Sequence, residues 1–169
     1  MSYPLNDESM NYHKPTILRA QNLNFCYTRS RRFCMDERCT LFVIAILSSL
    51  EERWKNELNV ILQGRNGISL HRAFRDLQKA NLLKDFSNRF SFNIANGTMH
   101  GLQLALTYGV RTMLVRMDGS SKYHLDSENG KKLQELLHRN NIDTVYIEDA
   151  SKRLNELLAM QERKSSAHN

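Results

Sequence analysis

Residues 58–125 decide the fold, and they read LNVILQGRNGISLHRAFRDLQKANLLKDFSNRFSFNIANGTMHGLQLALTYGVRTMLVRMDGSSKYHL. Apolar residues recur at helical spacing at the start of this stretch, and the helix they predict ends at Gly64 and Gly67. Ser69 is then a predicted N-cap for a second amphipathic helix over residues 70–83. The stretch therefore begins with two helices separated by a glycine-containing turn.

The second half of the stretch predicts a third helix and a β-hairpin. Thr98 is a predicted N-cap, a Leu-rich segment runs to Tyr108, and Gly109 is a predicted C-cap. Residues 110–125 then alternate in the manner of two strands around Asp118-Gly119, which is a strong turn signal. The order helix, helix, helix, hairpin predicts a mainly α fold with a small β-hairpin, namely a winged helix-turn-helix core.

The segments on either side extend this core. Order is expected to begin near Asp36, followed by one long helix or by two helices joined near Ser48-Ser49. After the hairpin the pattern predicts a helix, a short β-like run and another helix, at Lys131–Arg139, Ile142–Ile147 and Ala150–Arg163. The predicted organisation is a flexible segment 1–35, a winged-helix domain 36–126, a C-terminal helical extension 127–163 and a mobile tail 164–169.

The positive charge of the chain is concentrated in the same region. The 169 residues carry 24 Lys/Arg and 18 Asp/Glu, a net charge of +6. Residues 64–125 hold nine Lys/Arg against three Asp/Glu, and residues 19–39 hold five against two. Hydrophobic residues make up 41% of the chain, enough for a globular core. A localised excess of positive charge favours an anionic partner over a merely solvated surface.

Basic side chains follow one face of the second predicted helix. Arg72, Arg75 and Lys79 are spaced three and then four residues apart, so they share a stripe. Such a stripe suits phosphates or acidic side chains, because both present anionic oxygens. The hairpin around Asp118-Gly119, called the wing below, is expected to extend the positive surface through three further cations, Arg111, Arg116 and Lys122.

The cysteines predict neither a disulfide framework nor a metal site. Cys26, Cys34 and Cys39 are odd in number and lack the fourth ligand of a tetrahedral zinc site, so we expect thiols and no metal or other cofactor. The longest apolar run, Leu41–Leu47, is far shorter than the ~20 residues that span a bilayer. Core burial and self-association explain this run equally well. We expect no membrane contact and a cytoplasmic location, including ribonucleoprotein granules, or a nuclear one.

Two stretches resemble the LOTUS domain, also called OST-HTH, which is a small winged helix. They are ELNVILQGRNGISLHRAFRDLQKAN and NGTMHGLQLALTYGVRTMLVRMDGSSKYHL, and the resemblance, with the residues between them, covers about 70 residues of the chain. The shared features are the helix end at Leu58, Ile61 and Leu62, the entry Gly67-Ile68-Ser69-Leu70, and the segments Leu102-Gln103-Leu104 and Met113-Leu114-Val115. Residues 80–86 and 90–92 depart from the family pattern, which has a Tyr and a Gly-containing turn there.

The resemblance implies a non-catalytic adaptor of germline RNA granules that acts in post-transcriptional regulation. Some family members bind the C-terminal RecA-like lobe of a Vasa-type DEAD-box RNA helicase through helix two and a helix after the wing. Others bind RNA, including guanine-rich structures. The corresponding surfaces here are the cationic stripe of the second helix and three leucines of the appended helix, Leu133, Leu136 and Leu137. We therefore expect RNA, a DEAD-box RNA helicase, or both, as partners.

A winged-helix DNA-binding regulator is the first alternative. In that class the third helix enters the major groove and reads base edges. The third predicted helix is poor in Arg and Lys, and His100 and Gln103 are its candidate base-reading side chains. Its composition therefore favours the RNA or helicase adaptor.

A ribonuclease of the HEPN type is the second alternative. Arg65 and His71 resemble the Arg and His of the HEPN signature, which assist attack by an RNA 2′-hydroxyl group. The signature lies on a continuous helix in that family, and the two flanking glycines oppose such a helix here. We expect His71 to be an exposed residue at the start of the second helix.

Overall fold

The computed structural model describes residues 37–83, 86, 90–125 and 127–168. Within these ranges the fold is mainly helical with small antiparallel hairpins, which confirms the predicted fold class. Asp36, Cys26, Cys34 and the segment 1–35 lie outside the described residues. No helix of the described part combines the length and the apolar character that crossing a membrane requires.

The first helix, α1 (Glu37–Ser48), forms the centre of the core. Every residue from Cys39 to Leu47 is buried, and three later helices pack around α1. A helix that is apolar on all sides is stable only when it is covered on all sides, so core burial accounts for the Leu41–Leu47 run. The chain bends after Ser48, as the two-helix alternative predicted, and continues as α2 (Glu52–Asn56) and α3 (Leu58–Leu62).

A tight turn connects α3 to the basic helix. Gly64 has a φ of +67°, and a 3-10 turn follows at Arg65–Gly67. The Ser69 hydroxyl accepts a hydrogen bond from the Arg72 amide at 3.3 Å, so Ser69 is the N-cap of α4 (Leu70–Lys79), as predicted. The helix ends at Lys79, four residues before its predicted end. Asn81 has a φ of +58°, and the Leu82 amide donates to the Leu77 carbonyl at 3.0 Å, which is a Schellman-type C-cap.

A hairpin stands where the start of the third helix was predicted. Strand β1 (Ser91–Asn93) pairs antiparallel with β2 (Thr98–His100), and Phe92 faces Met99 in the register. Asn93 and Asn96 accept hydrogen bonds from backbone amides two residues further on, which fixes the turn between the strands. The predicted N-cap at Thr98 is therefore wrong.

The third helix, α5 (Leu102–Arg111), starts later and runs past its predicted C-cap. Gly109 lies inside α5, where a Cβ atom would come within 2.6 Å of Val115 Cγ2 and 2.9 Å of Ile44 Cδ1. The absence of a side chain at this position therefore lets α5 approach α1 closely. The helix ends instead at Arg111, and Met113, two residues further on, has a φ of +62° at a position where Gly is usual.

The wing is confirmed in a shorter form than predicted. Strand β3 (Arg116–Met117) pairs with β4 (Tyr123–His124), and the Asp118 amide donates to the Lys122 carbonyl at 3.0 Å across the turn. Residues 110 and 111 belong to α5 rather than to a strand. The wing packs against α5 and α3.

The C-terminal part is helical throughout its described length. A 3-10 turn (Ser127–Asn129) leads into α6 (Gly130–Arg139), and α7 (Thr144–Ser166) follows after Asp143. The predicted β-like run at Ile142–Ile147 is wrong, because the Asp143 carboxylate caps α7 by accepting the Val145 amide at 2.9 Å. Leu154 and Leu158 of α7 lie in the same hydrophobic cluster as α1. Residues 127–163 therefore complete the core of the preceding helices.

Candidate functional site

The three cations predicted on the second helix lie on one face of α4, but their environments differ. Arg72 and Lys79 are exposed, whereas Arg75 is half-buried. The Arg75 Nε donates to Asp76 Oδ1 at 3.2 Å, and its guanidinium lies 4.9 Å from the centre of the Phe92 ring. Arg75 therefore shares its charge with a neighbouring carboxylate and joins α4 to the β1–β2 hairpin.

The end of α7 is fastened to the turn in front of α4. The Gln161 side chain accepts from the Ser69 amide at 2.7 Å and donates to the Ser69 carbonyl at 3.2 Å. Four residues further along α7, the Ser165 hydroxyl donates to the Asn66 carbonyl at 2.6 Å. These contacts bring the last turns of α7 next to the 3-10 turn that carries Arg65.

Exposed cations from distant parts of the chain are carried by the elements that meet at this junction. We call this group the basic surface. It comprises Arg65, Arg72 and Lys79 from the turn and α4, with Lys164 from α7. All four are exposed, and none forms an ion pair with another described residue. Arg163 lies on the face of α7 opposite to Gln161 and Ser165, so it does not belong to this group.

Two described acidic residues next to the basic surface are already paired. Glu162 accepts a hydrogen bond from Arg53 at 2.8 Å, and Arg53 also pairs with Glu51 at 3.0 Å. Asp76 pairs with Arg75. The Arg72 guanidinium donates to the Gly67 carbonyl, a neutral acceptor that leaves the Arg72 charge uncompensated. The basic surface therefore carries a net positive charge in a position open to solvent.

The three predicted wing cations lie on other elements. Arg111 is at the end of α5, and Arg116 and Lys122 are exposed on the wing. The wing packs against α5 and α3, whereas α4 packs mainly against α7 and the β1–β2 hairpin. The six cations predicted from sequence are thus divided between two groups of elements, and α7 supplies the partners of the α4 group.

The appended helix does not present its leucines to solvent. Leu133 and Leu137 of α6 are buried within the core, with 6% and 1% of their surface exposed. Leu136 is half-buried and packs against the same core. The predicted helicase-docking role needs these side chains on the surface, so the prediction is wrong for Leu133 and Leu137.

Helix α5 offers few groups for reading bases. Its Gln103 side chain donates to the Tyr123 hydroxyl of the wing at 2.7 Å, and Arg111 is its one cation. His100 belongs to β2 rather than to this helix. A helix that reads the major groove presents several free donors and acceptors, so α5 is poorly suited to that task.

His71 is a core residue rather than an exposed cap. It is 7% exposed, and its Nδ1 accepts the Met99 amide at 2.8 Å. Burial lowers the pKa of His71, so the neutral imidazole with its proton on Nε2 is the stable form. Arg65 lies on the preceding 3-10 turn and is exposed. The buried imidazole and the exposed guanidinium do not form the open pair that an acid–base ribonuclease needs.

The described residues contain no cluster of His, Cys, Asp or Glu that could hold a metal ion. Cys39 is buried within α1, while the other two cysteines lie outside the described part. Comparison of the chain with known protein families, with characterised proteins and with solved structures finds no significant match.

Proposed function

We propose that the protein is a non-catalytic RNA-binding adaptor of the LOTUS type, which holds RNA phosphates on the basic surface. The observation that carries this proposal is the fastening of α7 to the turn before α4 through Ser165 and Asn66. That contact gathers cations from two segments, about 100 residues apart, without an acidic partner among the described residues. Unpaired cations gathered in this way are the usual footprint of nucleic-acid binding.

The physical basis of binding is the release of counterions. Each phosphate neutralised by Lys or Arg frees a condensed cation, so affinity falls with salt. Full use of the four cations predicts a slope of log K against log salt of about −2.8 on a single strand. Arg65 and Arg72 are also able to bind phosphate oxygens with paired N–H groups.

RNA is favoured over duplex DNA because α5 carries a single cation, Arg111 at its end, and its Gln103 is engaged with the wing. RNA is favoured over a helicase because the leucines of the appended helix are committed to the core. The LOTUS resemblance agrees with RNA as a partner, since some members of that family bind RNA, but it does not distinguish RNA from a helicase. A helicase that contacts α4 alone remains an outcome that the experiment below distinguishes.

The test is fluorescence anisotropy with three labelled nucleic acids of equal length, each at several salt concentrations. They are a single-stranded RNA, a guanine-rich RNA and a duplex DNA. We expect Arg72→Glu/Lys164→Glu to weaken RNA binding by about 10- to 100-fold. The control Arg116→Glu/Lys122→Glu makes the same charge change on the wing, and its RNA affinity should fall much less. Circular dichroism and thermal unfolding establish that both variants are folded.

Three results would count against the proposal. Wild-type affinity in Arg72→Glu/Lys164→Glu would remove the basic surface from binding, and an equal loss in the wing control would assign binding to the wing. Tighter binding of the duplex than of RNA would favour the DNA regulator. The helicase adaptor would be favoured if the wild type captured a DEAD-box helicase from nuclease-treated lysate but did not bind RNA directly. Arg72→Glu/Lys164→Glu should then fail to capture the helicase.

A further inference from the structure

Two adjacent serines at the end of α7 border the basic surface, and they make different contacts. Ser165 donates its hydroxyl proton to the Asn66 carbonyl at 2.6 Å, so it joins α7 to the 3-10 turn. Ser166 donates to the Glu162 carbonyl at 3.0 Å, so it contacts only its own helix. Both follow directly on Arg163 and Lys164. The Ser165 hydroxyl, unlike that of Ser166, is therefore one of the contacts between α7 and the turn before α4, together with Gln161.

We propose that Ser165 is a phosphorylation site for a basophilic Ser/Thr protein kinase, and that its phosphorylation blocks RNA binding at the basic surface. This regulation rests on the proposed function. In the transfer, Ser165 Oγ attacks the γ-phosphorus of ATP. An oxygen–phosphorus bond forms, the bond from the γ-phosphorus to the bridging oxygen of ADP breaks, and the hydroxyl proton passes to a base of the kinase.

The sequence in front of Ser165 suits such a kinase. Kinases of this class recognise Arg and Lys side chains shortly before the target serine, through acidic groups around their peptide site. Arg163 and Lys164 are exposed and form no ion pairs with the other described residues. Ser165 lies in the last turn of α7, and helix ends fray, which gives the kinase the extended backbone it requires.

Phosphorylation is incompatible with the Ser165–Asn66 contact. The phosphorylated oxygen has no proton to donate, and its negative charge repels the Asn66 carbonyl. There is also no space beneath it, because a Cβ atom on Gly67 would already lie 2.8 Å from Ser165 Oγ. The phosphate must therefore turn away from the 3-10 turn and towards solvent.

A phosphate at this edge competes with RNA for the same cations. It adds a charge of about −1.5 to −2 and three strong acceptor oxygens. Arg65 and Lys164 are the adjoining residues of the two segments that Ser165 joins. The modification thus removes one of the contacts that join α7 to the turn before α4 and also neutralises part of the charge of the basic surface.

The first experiment maps the site on the full chain. The protein is incubated with ATP and the catalytic subunit of cAMP-dependent protein kinase, a basophilic kinase, and the product is analysed by peptide mass spectrometry. We expect phosphate on Ser165 in the wild type and in Ser166→Ala, and no phosphate at this position in Ser165→Ala. Labelling of Ser166 alone, or no labelling of this segment, would overturn the inference.

The second experiment has one readout that does not involve RNA. Phosphorylation should raise amide hydrogen exchange in residues 64–69, because the contact to Asn66 is lost. Unchanged exchange would overturn the inference whether or not the protein binds RNA. On single-stranded RNA the phosphorylated protein should bind about tenfold more weakly than the unmodified protein. The affinity of Ser165→Ala, whatever its starting value, should be the same before and after treatment with the kinase.

The two proposals fail in different ways. Equal RNA affinity before and after phosphorylation refutes the regulation and leaves RNA binding intact. An unmodified protein that does not bind RNA refutes the proposed function instead, and the claim that phosphorylation blocks RNA binding falls with it. Mass spectrometry still tests the phosphorylation site, and hydrogen exchange still tests its effect on residues 64–69, whether or not the protein binds RNA.

Discussion

Asn59 of α3 holds the return strand of the wing by bonding both backbone groups of Tyr123. The Asn59 Oδ1 accepts the Tyr123 amide at 2.9 Å, and its Nδ2 donates to the Tyr123 carbonyl at 3.1 Å. One carboxamide thus satisfies both backbone groups of a β4 residue, as a neighbouring strand does in a larger sheet. A two-stranded hairpin is marginal alone, so this contact explains why a wing with two residues in each strand is ordered.

Replacing Asn59 by Ala should therefore destabilise the protein by about 2 kcal/mol, since two half-buried hydrogen bonds are lost and the Tyr123 groups are left unpaired. Urea unfolding followed by circular dichroism measures this change. Gln103→Ala is the matched control, because it removes only the exposed bond to the Tyr123 hydroxyl and should cost less than about 1 kcal/mol. Equal losses in the two variants would contradict the role assigned to Asn59.

Gly109→Ala should destabilise the protein by about 1–3 kcal/mol through overpacking. The new methyl group would lie 2.6 Å from Val115 Cγ2 and 2.9 Å from Ile44 Cδ1. Gly130→Ala is the control, since nothing lies within 4 Å of a Cβ atom there and Ala is the better helix former. The double variant Gly109→Ala/Val115→Ala should lose less free energy of unfolding than the two single variants lose in total. Strict additivity would argue against a direct clash.

The positions of most helices were predictable from the local pattern of apolar residues. The errors occur where a single polar residue determines where a helix ends or whether a segment is helix or strand. Asn81 and Asn141 adopt positive φ and end α4 and α6, although neither is a glycine. Asp143 caps α7 and turns an alternating run into a helix. Thr98 has the composition of an N-cap but pairs with Asn93 in a hairpin. Side-chain hydrogen bonds to the backbone offer competing local structures of similar energy, and sequence alone does not rank them.

The candidate site was predictable only in the part that lies on one helix. The spacing of Arg72, Arg75 and Lys79 indicated a shared face, and the structure places them on it. The contribution of Lys164 depends on the contact between Ser165 and Asn66, which are 99 residues apart. No periodicity carries information over that separation. The same limitation explains the error at His71, whose partner Met99 lies 28 residues away.

Met113→Gly should stabilise the protein by about 0.5–1 kcal/mol. Met113 has a φ of +62° and follows α5 at the position where Gly is preferred, and its side chain is 72% exposed, so little packing is lost. The entropy of Gly in the unfolded state offsets part of the gain. The expected result is a higher thermal unfolding midpoint. Met113→Leu keeps the backbone strain and should be neutral, and a stabilised Met113→Leu would point to a cause other than φ.

Lowering the pH should destabilise the protein through His71. Burial lowers the pKa of its imidazole below the ordinary 6.5, so the unfolded chain binds a proton before the folded chain does. The stability due to the neutral imidazole is complete above about pH 6.5 and is lost as the pH falls from there to the lowered pKa of the folded state. Asp118 affects stability in a separate, more acidic pH range. Hydrogen bonds from His124 and Ser120 hold its pKa far below 3.8, so its contribution is present above that value and is lost only in stronger acid.

The measurement is the free energy of unfolding in urea at pH 7.5 and pH 5.5, for the wild type and for His71→Gln. Gln is able to accept the Met99 amide but does not titrate, so the variant should show a smaller loss between the two pH values. Subtracting the variant removes the effect of the other histidines, because they are common to both proteins. If the wild type and His71→Gln lose the same stability over this range, His71 is not buried in its neutral form, and its hydrogen bond to Met99 does not exist in solution.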